Sequence, residues 1–362
     1  MTKEYNSSVN RVTILCLTYN HEKYIEKTLN SFLFQKANFG FNIIINDDSS
    51  TDSTVEIIND ISRRNPGRIK LIKHTANQYS KGKRLFFPRY LIPKVETEYF
   101  ATCEGDDYWT DEFKLQKQVD FMDRNRDVCI FSTNARILSD GKDNGNLLQN
   151  NSNKINYFGL DDIIISNKFI TCTAFFRSNE SASKKAYDLL DNKDFQFSDW
   201  TLYLVWLEES GLKAAVSTMV TATYRRHNEG IFSKLNTEER IDKTIKQLMF
   251  NWKHFQSSVS VGDVADAIKE LAGLSMDSRY TNELEEARED QNKLIKEITT
   301  LKGTNLGLSK EVERLNTIRR GLSKEITNIE DELSLARHEL YIVYKRPWIY
   351  FWKLLKIAFK SK

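Results

Sequence analysis

No run of this chain is apolar for long enough to cross a bilayer, and its opening stretch, Met1 to Asn10, lacks the apolar core of a signal peptide. Both absences set the expectation of a protein kept in the cytoplasm. Cysteine is scarce: Cys16, Cys103, Cys129 and Cys172 fall inside apolar segments without C-x-x-C spacing, which argues against a disulfide framework or a zinc site. No Gly-rich, basic phosphate loop follows the first apolar segment. A basic folded face is missing as well. The net charge is +3, but Lys345, Arg346, Lys353, Lys356, Lys360 and Lys362 crowd the tail with no acid among them. The body left behind is mildly acidic, which does not suit nucleic-acid binding.

What is present is a chain of 362 residues, 40% hydrophobic and 12% aromatic, enough for one sizeable domain with appendages. Between residues 11 and 133 short apolar runs alternate with helical patterns. Val12 to Thr18, Phe41 to Asn46, Ile69 to Lys73 and Tyr99 to Cys103 read as strands; His21 to Gln35, Thr51 to Arg64 and Glu112 to Arg124 read as helices. This alternation predicts an α/β fold, a Rossmann-like, mostly parallel sheet with helices on both faces. Further along, Ile170 to Arg177 and Lys213 to Thr218 read as strands, Asp199 to Glu209 as a helix, Ser139 to Asn156 as a surface loop and residues 237 to 280 as helices.

The densest chemical signal is Glu104-Gly105-Asp106-Asp107-Tyr108-Trp109, three carboxylates within four residues directly after a strand. Charges this close raise one another's pKa unless a cation or a hydrogen-bonding ligand neutralises them, so the run implies a divalent metal carrying a diphosphate. An all-oxygen donor set favours magnesium or manganese over zinc. In α/β sheets ligands bind beyond the carboxyl ends of strands, where Asp47-Asp48 also falls, and both clusters are expected in one crevice. Taken alone, acids after a strand also suit a solvated loop, and Asp111 suits the N-cap of the helix behind them.

The last third carries heptads. With Ile298, Asn305, Val312 and Ile326 at position a and Leu294, Leu301, Leu308, Leu315 and Leu322 at d, residues 281–343 predict a coiled coil, preferentially a parallel homodimer, with a trimer left open. A long helix folded back on the body is the competing arrangement. Residues 236–280 then form a helical linker. Residues 344–362, with Trp348, Trp352 and their lysines, suit a basic amphipathic helix in a membrane interface or a helix docked on protein.

Thr18-Tyr19-Asn20, Asp47 to Asp52, Glu104 to Trp109, Ser198-Asp199-Trp200 and Tyr224 to His227, in this order, resemble the family-2 inverting glycosyltransferases, which have a GT-A fold, over roughly residues 9 to 235. Bacterial members that build surface polysaccharides are the most similar type. The resemblance implies a nucleotide-sugar donor, UDP-linked for preference, and a glycan or lipid-linked acceptor at the inner face of the cell membrane. It implies that Thr18, Tyr19, Asn20, Asp47 and Asp48 hold the nucleoside, where a carboxylate reads the uracil N–H. Glu104 would reach the ribose or the metal, Asp106 or Asp107 would bind Mn2+ or Mg2+, and His227 would add a ligand. Glutamate at position 104 departs from the commoner aspartate and leaves open which carboxylates touch the ion. Asp199 would be the base that inversion requires, although an N-cap aspartate has the same signature. Lys83 and Arg225 could assist the departing phosphate, Asn77 to Gly82 would cover the nucleotide, and Glu22 either approaches it or serves the helix dipole. His21 is expected to contribute to the helix start, and His74 to be an ordinary surface or core residue.

Two rival readings stand beside this one. In the first, the chain is a coiled-coil scaffold whose domain binds nucleotide sugar without activity. In the second it is a sugar-nucleotide pyrophosphorylase, which the missing phosphate loop disfavours.

Overall fold

The computed structural model describes residues 9–139, 142–147, 155–189, 194–227, 230, 234–255, 258–260, 262–271, 289–290, 292–293, 296, 313–328 and 330–331. The chain divides into two compact units, residues 1–235 with 246–259, and residues 236–245 with 260–362. The first unit contains β1 Asn10–Thr18, α1 Ile25–Leu33, β2 Gly40–Asp47, α2 Thr54–Arg64, β3 Ile69–Lys73, β4 Tyr99–Glu104, β5 Tyr108–Trp109, α3 Lys114–Arg124, β6 Val128–Ser139, β7 Lys142–Leu147, β8 Ile155–Phe158, α4 Leu160–Ile165, β9 Phe175–Arg177, α5 Glu180–Asp188, α6 Ser198–Ser210 and β10 Lys213–Arg226. A further helix, α7 Thr237–His254, begins in the second unit and ends in the first.

Strand burial follows the apolar runs. Val12, Ile14, Leu15 and Cys16 of β1 are fully buried, as a strand with parallel neighbours on both sides must be. In α1 the apolar residues recur at Ile25, Leu29 and Phe32, one face of a helix, and all three enter the core, each contributing roughly 1.5–3 kcal/mol of burial. The sheet runs β3-β2-β1-β4-β9-β6-β10-β5, with β7 on β6 and β8 on β10. The pairs β1–β2, β1–β4, β2–β3 and β6–β10 are parallel. Those of β9 with β4 and β6, and of β5, β7 and β8 with their partners, are antiparallel. The mostly parallel expectation is therefore corrected to a mixed sheet. Helical crossovers generate the parallel half, but β9 is only three residues long and enters between β4 and β6 in the opposite sense.

Several boundaries differ from expectation. The segment Ile170 to Arg177 splits into a tight turn at Thr171–Thr173 and β9. The loop expected at Ser139 to Asn156 contains β7. The strand expected to stop at Thr218 continues as β10 to Arg226 and so delivers Arg225 to the acidic loop. Asp111 does not cap α3; that position is Phe113, and the Asp111 carboxylate accepts from the Phe113 N–H and pairs with Lys117. In the second unit, residues 262–271 and 313–328 are helical, and the latter carry the heptad leucines Leu315 and Leu322. Most of the expected coiled coil and all of the expected tail at 344–362 lie outside the described residues, among which no helix is long and apolar enough to cross a membrane.

Candidate active site

Parallel pairing sets Thr18 beside Asp47 and Leu17 beside Glu104, so β2, β1 and β4 end along one edge. The loops after β1 and β2 are tied together there. Asn20 adopts a left-handed backbone (φ 54°), which asparagine tolerates, and its Oδ1 accepts the Thr51 N–H at 2.8 Å. Glu22 accepts the Ser53 N–H at 3.0 Å, while its own N–H donates to Asp52 at 3.1 Å. Asp47, fully buried, accepts the N–H and hydroxyl of Ser50. Asp48 accepts the Gln78 and Tyr79 N–H groups at 2.7 and 3.0 Å, anchoring the loop that also holds Lys83, whose N–H reaches the Gln78 carbonyl. Two rings remain on the surface, Tyr19 at 42% and Tyr79 at 40% exposure.

The acidic loop is gripped from behind. Thr28 Oγ1 of α1 donates to the carbonyls of Gly105 and Asp107 at 2.9 and 2.6 Å, and the Gly105 N–H donates to the Leu17 carbonyl at 2.7 Å. Gly105 is forced by space: a Cβ there would lie 2.8 Å from both His21 Nδ1 and Thr18 Oγ1. Asp107 is buried and accepts the Arg225 N–H at 2.7 Å, while the Arg225 guanidinium donates to the Asp106 carbonyl. The Asp106 carboxylate stands between two imidazoles, His227 Nε2 at 3.0 Å and His21 Nε2 at 3.8 Å. Glu104 Oε2 and His227 Nδ1 are buried without a hydrogen-bond partner.

Asp199 arrives on α6, a helix buried on every side from Trp200 to Leu207. It is not the N-cap residue, which is Phe197. Its Oδ2 accepts from Thr171 Oγ1 at 3.2 Å, and Thr102 of β4 donates to the Thr171 carbonyl at 2.7 Å. Thr102 and Glu104 share one face of β4, which brings Asp199 toward the acidic cluster. Behind α6 the buried Gln247 accepts the N–H groups of Gln196 and Phe197, both at 2.7 Å, and satisfies the approach to the helix start.

The electrostatics follow from this crowding. Burial, then the charges of Asp106 and Asp199, push Glu104 up to about 8. Burial, then the charges of Asp106 and Glu104, raise Asp107 well above the carboxylate range. For Asp106 burial acts upward too, but the hydrogen bond with His227 and the fields of His21 and His227 outweigh it and hold the group low. Burial raises Asp199, partly offset by the Trp200 N–H and Thr171. Among the described residues no three His, Cys, Asp or Glu side chains form a ready metal cage.

Three contributors were not legible in the chain. The ring of His21 joins Asp106 and Thr18 (3.2 Å to Oγ1), although its backbone does start α1; only its place directly after Thr18-Tyr19-Asn20 hinted at this. Thr171 and Gln247 carried no signal at all. His74, expected to be unremarkable, bonds Asn46 at 2.8 Å and packs on Tyr90.

Comparison with known proteins finds likenesses to glycosyltransferases over the part of the chain that forms this site. Residues 13–183 match the family model described as Glycosyl transferase family 2. An uncharacterized protein of Mycobacterium tuberculosis is 30% identical over 230 residues, covering 63% of this chain and 62% of that protein; the chain thus spans less than two thirds of that relative. The Escherichia coli UDP-Glc:alpha-D-GlcNAc-diphosphoundecaprenol beta-1,3-glucosyltransferase WfaP is 29% identical over 240 residues, 65% of this chain and 86% of its own length. The crystal structure of S. aureus TarS 1-349 in complex with UDP-GlcNAc shares the fold, with TM-score 0.52 and 18% identity over 72% of this chain and 71% of that one.

Proposed function

We propose that the chain is a metal-dependent inverting glycosyltransferase that moves a sugar from a nucleotide donor, UDP-linked for preference, to a polysaccharide or lipid-linked oligosaccharide. The observation that carries this is the meeting of the unpartnered Glu104 and the His227-bonded Asp106, at the end of β4, with Asp199 of α6, tied to β4 through Thr171 and Thr102. The similarity to WfaP, which uses a UDP-glucose donor and a diphosphoundecaprenol-linked acceptor, supports the choice of substrates.

In this reading Asp199 takes the proton of an acceptor hydroxyl while that oxygen attacks the anomeric carbon from the face opposite the diphosphate, whose bond to the sugar breaks. The buried, Thr171-anchored carboxylate suits a base, since desolvation raises its proton affinity. Asp47 and Asp48 act mainly by shaping the nucleoside loops, their oxygens being occupied by backbone and serine donors. A divalent cation fits the unpartnered Glu104 oxygen and the Asp106–His227 contact; Asp106 and His227 would hold Mn2+ or Mg2+, which neutralises diphosphate charge when bound. Asp107 serves by fixing Arg225.

Replacing Asp199 by Asn should lower sugar transfer at least about 100-fold while melting temperature and UDP binding persist. Transfer at the wild-type rate would remove the base assignment. The same proposal gives the heptads a homodimer and the tail a place on the inner membrane surface. Removal of residues 281–343 should leave a monomer by light scattering, and a shortened chain that still has the mass of a dimer would dismiss the coil.

A further inference from the structure

We propose that Lys27 and Arg225 form a phosphate-binding ledge beside the acidic loop. The ledge rests on the transferase reading and adds a subsite to it. Tyr24, Lys27, Thr28 and Ser31 recur along one face of α1 and its approach, and that face leans on the loop: Thr28 holds two of its carbonyls and Ser31 Oγ accepts the Trp109 N–H at 3.0 Å. At the outer edge of this face Lys27 Nζ lies 3.8 Å from the centre of the Tyr108 ring. The Arg225 guanidinium lies 4.4 Å from the same ring and 5.1 Å from that of Tyr24, whose ring packs 4.9 Å from His227. Two cations from separate elements therefore share one aromatic pad, next to the imidazole that touches Asp106.

An aromatic face holds a cation in place without cancelling its charge. Among the described residues no carboxylate pairs with Lys27, and Arg225 uses donors on the Asp106 carbonyl rather than on a side-chain acid. Lys27 is exposed. A guanidinium and an ammonium gathered at one ring suit a tetrahedral oxyanion, for which the guanidinium supplies planar donors and the lysine a point charge. The phosphate has two sources in this reaction: the donor's diphosphate, or a phosphate carried by the acceptor.

The test titrates the full chain, in the presence of Mn2+, with UDP, inorganic pyrophosphate and detergent-solubilised farnesyl diphosphate. Lys27→Met should weaken at least one of these about tenfold, the size of one charge-assisted hydrogen bond, Lys27→Glu should weaken it further and Lys27→Arg should restore it. Loss for UDP and pyrophosphate assigns the ledge to the donor; loss for farnesyl diphosphate alone assigns it to the acceptor. Affinities unchanged in both Lys27→Met and Lys27→Glu, or no binding of any of the three by the wild-type chain, overturn the ledge. Intact sugar transfer with unchanged affinities would defeat this inference alone, whereas a wild-type chain that transfers no sugar would defeat the reading beneath it.

Discussion

Around Asp47, Asp48 and Asp52 every carboxylate oxygen already accepts a hydrogen bond, whereas at the end of β4, on the other side of β1, Glu104 keeps a buried oxygen with no donor and a pKa of about 8. The two strand ends flank that of β1 in one sheet and are equally acidic in sequence. Their difference lies in what surrounds them. The first group sits among N–H-rich turns, which neutralise carboxylates locally; after β4, Asp106 and Asp107 find donors in His227 and Arg225, but Glu104 meets burial and other acids, which do not neutralise it. The nucleoside side is thus finished by folding, and the β4 side stays electrostatically incomplete until something positive arrives.

The contrast can be broken most sharply at Gly105. An alanine there meets Thr18 and His21 inside 3.0 Å, so Gly105→Ala should cost about 3 kcal/mol, read by chemical denaturation, and displace the acidic loop; a variant as stable as wild type would mean that the loop is not tightly held.

A second test addresses the cation under the same loop. Lys114 is fully buried, donates to Gln118 at 2.6 Å and lies 4.1 Å from the Trp109 ring; burial pulls it down to about 7 from the ordinary 10.5. The unfolded chain then binds more protons than the folded one between those values, so stability should climb as pH rises from about 7 and should be lowest below it. Lys114→Met should flatten that slope and raise stability at pH 7 by about 2 kcal/mol. Melting curves between pH 6 and pH 9.5, roughly the accessible part of that window, decide it; a slope that survives the substitution would clear Lys114 of responsibility.

The smallest effect is expected on the satisfied side. Asp48→Ala frees the Gln78 and Tyr79 N–H groups at a solvent-facing loop, where water replaces part of the loss, so global stability should fall by only about 1 kcal/mol while those two amides lose exchange protection. Protection that remains would show that the loop is held by something else.

Much of the architecture was readable in advance. The strands through Glu104 were expected within a residue or two, and the helices Thr54–Arg64 and Lys114–Arg124 within three, since apolar periodicity reports which face must be buried. The antiparallel insert β9 was not separable from the turn before it, because three residues carry no period. At the site, the acidic run announced itself by composition. Thr171, Gln247 and the ring of His21 did not, since their roles come from contacts across 28 residues or more in the chain, or, for His21, from a loop 85 positions away.

By itself the sequence determined where carboxylates cluster, which segments alternate between strand and helix, and that the acids follow strand ends. Local patterns suffice for these because burial and backbone hydrogen bonding act on neighbouring residues. Only the tertiary structure decided which acids are neutralised and which remain exposed to one another's field. That outcome depends on desolvation and on donors brought in from distant elements, and neither quantity is written in any single stretch of chain.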